Sequence, residues 1–119
     1  MADPNIAETT IVKGKTAVLA SVPTSDTTIV ENLTSNSVFK INTMIISNID
    51  GSAPYDISVS LVRNSITYKI VHTMSVPPDT SILVLSKDTS IYLQENDAIK
   101  LTASTADKLQ AICSYEELL

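Results

Sequence analysis

Tryptophan is absent from this 119-residue chain, cysteine and histidine occur once each, and glycine occurs twice. The single Cys113 cannot close an internal disulfide, which excludes the disulfide-stapled secreted class and fits synthesis in a reducing cytoplasm. A structural zinc site needs about four Cys or His ligands, and His72 and Cys113 are the whole supply. Gly14 and Gly51 stand far apart, so no glycine-rich phosphate loop exists. Aromatics make up 4% of the chain, too few for a sugar-stacking platform. Basic runs are missing and the formal net charge is -5, which disfavours nucleic acid and anionic membrane surfaces as partners. Long apolar runs are missing too. Met44-Ile45-Ile46 and Ile82-Leu83-Val84-Leu85 are far too short to span a bilayer. Met1 to Ala7 has neither a basic start nor an apolar core, so it does not read as a signal peptide.

What is present points to sheet. About a quarter of the residues are Ser or Thr, and Val and Ile dominate the apolar set. Thr, Val and Ile branch at Cβ and suit a pleated surface better than a helix. Period-two alternation recurs along the chain. Ile57, Val59 and Leu61 alternate with Ser58 and Ser60; Ile99, Leu101 and Ala103 alternate with Lys100 and Thr102. Leu109, Ala111, Cys113 and Tyr115 share one face, as do Ile66, Tyr68 and Ile70. The same rule puts Val18, Ala20 and Val22 on one face, and Phe39, Ile41, Thr43 and Ile45 on another. Ile82 to Leu85 is continuously apolar and reads as a central strand covered on both sides. Thr27 to Leu33 and Ser90 to Leu93 are shorter candidates. Turn chemistry separates the strands: Asp50-Gly51, Arg63-Asn64-Ser65, Pro77-Pro78-Asp79 and Glu95-Asn96-Asp97. The pattern predicts an all-β chain, a single antiparallel β-sandwich of jelly-roll or Ig-like type with about eight or nine strands. Residues 1–14 read as a short N-terminal arm and residues 15–119 as the sandwich domain.

Reactive groups are few. His72 ends a strand pattern and reads as a partly exposed strand-end residue rather than a base or metal ligand. Cys113 reads as a buried thiol in an alternating strand. Asp50, Asp56, Asp79, Asp88, Glu95, Asp97 and Asp107 fall mostly in turns, where carboxylates bind nearby backbone amides. None has the spacing of a calcium loop. Asn32-Leu33-Thr34 matches a glycosylation acceptor. The expectation is a chain with no catalytic residues, no metal, no cofactor and no small-molecule substrate.

Several segments in order carry a family likeness. They begin with Lys15-Thr16-Ala17-Val18-Leu19 and Ile45-Ile46-Ser47-Asn48, followed by Ser75-Val76-Pro77-Pro78-Asp79 running into Ile82-Leu83-Val84-Leu85. Next comes Leu93-Gln94-Glu95-Asn96-Asp97-Ala98-Ile99-Lys100-Leu101-Thr102-Ala103-Ser104, and the chain closes on Ser114-Tyr115-Glu116-Glu117. This series resembles small β-sandwich virion structural proteins of tailed bacteriophages, especially contractile-tailed phages of cyanobacteria. Where similar sequences often carry Gly before the Asp, this chain has Asn96, which tolerates the same left-handed backbone. The resemblance implies a virion protein made in the host cytoplasm and joined to other virion proteins and to itself. It would sit as a head decoration or a neck or tail accessory. A receptor- or carbohydrate-binding adhesion module is the alternative.

Candidate interface residues lie at the two ends. Ile6, Ile11 and Val12 precede the first clear strand, and Tyr115, Leu118 and Leu119 close the chain. Apolar side chains on an arm gain nothing in water, so they are expected to lie on a neighbouring subunit and extend its sheet by strand addition.

Overall fold

The computed structural model describes residues 11–119. Nine strands run along them: β1 Val12–Leu19, β2 Thr27–Glu31, β3 Val38–Asn48, β4 Tyr55–Arg63, β5 Ile66–Val76, β6 Ser81–Leu85, β7 Ile91–Leu93, β8 Ala98–Ala103 and β9 Leu109–Leu118. The one helical element among the described residues is a 3-10 turn, Lys87–Thr89.

The strands form two antiparallel sheets, ordered β1-β9-β3-β6 and β2-β8-β4-β5. Strand β7 also pairs with β3, continuing the line of β6 after the 3-10 turn. Counting β6 and β7 as one interrupted strand, this order is that of a jelly roll, two interlocked Greek keys. The Ig-like option is therefore set aside. All pairings are antiparallel and most are distant in sequence: β1 with β9 joins the two ends of the described chain.

The core lies between the sheets. Ile57 and Val59 of β4 and Ile99 and Leu101 of β8 are fully buried, as their alternation predicts. Leu61 shares their face but is half-buried. Opposite them sit Ile41, Met44 and Ile46 of β3 and Leu109, Ala111 and Cys113 of β9. Ser60 points away from this core in register with Lys100, yet it is 5% exposed.

Three expectations about side-chain direction are corrected. In β3 a bulge between Ile41 and Thr43 absorbs Asn42 and reverses the alternation. Phe39 and Ile41 point inward, then Met44 and Ile46 do, leaving Thr43 and Ile45 on the outer face. In β1 the inward residues are Ala17 and Leu19, not Val18, and Val22 is buried only after the strand has ended. Strand β6 is not central: it lies beside β3 at the end of its sheet, and Leu83 is 58% exposed. The boundary at residue 14 is corrected as well. β1 starts at Val12, so residues 12–14 already belong to the first sheet.

Two buried asparagines close the loops at the ends of the barrel-like stack. Asn32 donates to the carbonyls of Ser37 and Leu93 and accepts from the Thr34 amide. Asn48 donates to Ala53 and Val76 and accepts from the Asp50 amide. Each replaces ladder bonds that the turning chain has lost. An Asn32 amide committed in this way, with no exposed surface, is not a glycosylation acceptor in the folded chain.

Candidate assembly surface

The sequence candidates at the two ends come together. Ile11 and Leu119 exchange backbone hydrogen bonds of 3.4 and 2.9 Å, continuing the ladder of β1 and β9. In the next row Val12 pairs with Leu118, which pairs with Val38. Ile11 and Val12 are exposed, Leu119 is half-buried, and Leu118 is 6% exposed. Tyr115 points inward and stacks on Phe39 with ring centroids 5.2 Å apart, so it works as packing rather than as a free handle. Ile6 lies outside the described residues. Charge reinforces this end: Lys15 Nζ donates to Glu117 Oε1 at 2.8 Å, and that bond holds the ammonium above its ordinary pKa. Asn42 donates to Glu116 Oε1 at 2.8 Å.

Among the described residues, each sheet ends in strands that pair on one side only. β1 and β6 bound one, β2 and β5 the other. β5 is the longest of these edges: eleven residues, with Lys69 its only charged side chain. Its Ile66 and Tyr68, in register with Arg63 and Leu61, are 55% and 51% exposed. Thr73 interrupts the edge with φ 48°, a left-handed backbone rare for a β-branched residue, and its amide donates to Ser58 Oγ. A bulge at Ile70 interrupts it again, so the straight part of the edge runs from Ile66 to Lys69.

The outer face of the β1-β9-β3-β6 sheet carries a pattern that runs across strands, where a reading along the sequence does not see it. Val18 pairs with Ile112, Ile112 with Ile45, and Ile45 with Leu83. These four side chains make one apolar row over all four strands. On one side of it lies the row Thr16, Ser114, Thr43. On the other lie Gln110, Ser47 and Ser81, with Ser47 and Ser81 hydroxyls 2.7 Å apart. None of these side chains is charged.

His72 is exposed on β5. Cys113 is fully buried, and desolvation pushes its thiol up to about 12. We expect no reaction with a soluble disulfide reagent at pH 8 in the native chain, and one equivalent after unfolding in urea; native reaction would show that β9 opens. Among the described residues no three His, Cys, Asp or Glu side chains gather as a metal site. Asp50 instead organises the loop after β3. It accepts from the Ser52 hydroxyl and amide, from the Tyr55 hydroxyl at 2.7 Å and from Lys108 at 3.0 Å. Those donors, Ser52 first and then Tyr55, hold its carboxyl well below the usual carboxylate range. The folded chain favours the ionised form, so this stabilisation is complete above an ordinary aspartate pKa of 3.8 and fades as pH falls below it. Urea midpoints between pH 3 and 6 are expected to fall less steeply in acid for Asp50→Asn than for the parent.

No protein family matches the chain, and no curated protein does. Among solved structures, the fold is similar to that of a chain from a study of Bacillus endospore appendages, described there as a novel family of disulfide-linked pili. The likeness covers 99% of this chain and 96% of that one, with a TM-score of 0.55 and 12% identity. At that identity it speaks to the fold.

Proposed function

We propose that the chain is a non-enzymatic structural subunit that joins copies of itself, or similar subunits, into a larger particle. The observation that carries this reading is the open edge of β5. Free-standing sandwiches blunt such edges with charge, proline or a covering loop, because a row of unpaired amides and carbonyls recruits strands. Here the straight run Ile66 to Lys69 has one lysine, at its end, and exposes Ile66 and Tyr68. A strand from a neighbour laid there gains backbone hydrogen bonds and covers Ile66 and Tyr68 together.

Two further supports are independent of that edge. The sequence resemblance implies a phage virion, as head decoration or neck or tail accessory. The similar solved fold belongs to a pilus. Assembly from subunits is what the two have in common. Covalent linkage through Cys113 is not part of the proposal, since that thiol is walled off in the core.

The test is deletion of residues 1–10, which lead directly into β1. The melting temperature is expected to stay near that of the full chain, because the first core residue among those described is Ala17. Incorporation into particles, scored by pelleting and electron microscopy, is expected to fall sharply. Undiminished incorporation would confine the interface to the sandwich itself.

A further inference from the structure

We infer that the outer face of the β1-β9-β3-β6 sheet is a second contact between copies of this chain, apolar row against apolar row. It goes beyond the edge pairing proposed above and uses different atoms.

The inference rests first on register. Val18 and Leu83, at the two ends of the row, are 67% and 58% exposed, and Ile112 between them is 41% exposed. On the solvated face of a sandwich these positions ordinarily carry polar side chains. The flanking rows do so, with hydroxyls and an amide, and the contrast is confined to one row. The four apolar positions come from four strands distant in sequence, and only the pairing aligns them.

Charge selects the occupant. Each copy carries a net charge of -5, so two copies repel. Over these three rows there is nothing charged to desolvate or to oppose. Lys40 and Glu116 lie together on this face toward one end of the sheet; Asp50 and Lys108 lie in the loops at the other. Two copies meeting here keep those charges at a wet rim, the arrangement found in interfaces whose centres are depleted of charge. A partner recognised by opposite charge would be aimed elsewhere on the surface. Face-to-face sheets pack about 10 Å apart at roughly -30°, which allows identical faces to interlock about a two-fold axis.

Size sets the strength. Four strands at ~4.8 Å and three rows at ~6.8 Å give a footprint of roughly 400 Å² per copy. The total, about 800 Å², is below the ~1,200 Å² of stable complexes, so the contact is weak alone and acts when edges already hold copies together.

The experiment is sedimentation of the full chain from ~10 µM to ~1 mM, the range in which a contact this small is populated. Mass is expected to rise with concentration. Leu83→Asp is expected to weaken that association at least ~10-fold, and Leu83→Met to leave it unchanged. Circular dichroism of both variants should match the parent, since Leu83 is exposed on an end strand. Association unchanged by Leu83→Asp would overturn this contact while leaving edge assembly standing. A full chain that stays monomeric throughout would overturn it as well, and would mean that a different protein covers the row.

Discussion

Leu101→Ala is expected to lower the free energy of unfolding by about 3–5 kcal/mol, toward the upper part of the range for large-to-small core changes. Leu101 has no exposed surface and sits in β8, the inner strand between β2 and β4. Its register neighbours are Thr27 on one side and Val59 on the other. Truncation there opens a cavity between two sheets that are each held by long-range strand pairs. Neither sheet can close over it without breaking ladder bonds, and the lost contacts are not recovered. The matching control is Leu83→Ala on the exposed outer face, where a change within about 0.5 kcal/mol is expected. Urea unfolding of the two variants checks both numbers. Equal effects would place the core on the wrong side of the sheets.

Arg63→Ala is expected to cost about 3 kcal/mol. The Arg63 guanidinium reaches Asp97 with Nε at 3.0 Å from both oxygens and with an NH2 contact of 2.6 Å to Oδ2. Asp97 Oδ2 also accepts the Gln94 amide at 2.8 Å, which closes the turn before β8. The Asp97 side chain is 3% exposed, so removal of arginine leaves a buried carboxylate with its main donor gone. Breaking a fully buried pair costs about 3–5 kcal/mol; the lower end applies because the Arg63 side chain is 36% exposed and water can take its place. Arg63→Lys is expected to recover less than half of the loss, since an ammonium cannot reproduce the two-pronged geometry. A lysine variant as stable as the parent would reduce the interaction to simple charge.

These residues also show where sequence reading works and where it stops. Strands β4 and β8 were legible because each alternates without interruption over the buried stretch from Ile57 to Leu61 and from Ile99 to Ala103. β3 was not, because one extra residue, Asn42, shifts every later side chain to the other face, and a bulge has no signature in hydrophobicity. The apolar run of β6 suggested burial on both sides; its outward member, Leu83, belongs instead to a row assembled from other strands. Arg63 and Asp97 are 34 residues apart, and Asn32 reaches Leu93 across 61. Composition gives such residues no distinguishing mark, since polar residues near turns are common and the partner is chosen by topology. At the chain ends only part of the arrangement was legible. Exposed apolar residues there were visible, but the inward stacking of Tyr115 and the burial of Leu118 depend on β9 lying between β1 and β3.

The central claim is that this chain is built to be one copy among many. Electron microscopy of the purified full chain, concentrated stepwise, tests it most directly. The account predicts regular particles or filaments in which neighbouring subunits share a continuous sheet across the β5 edge. A population of single sandwiches at every concentration, with no ordered assembly, would contradict it.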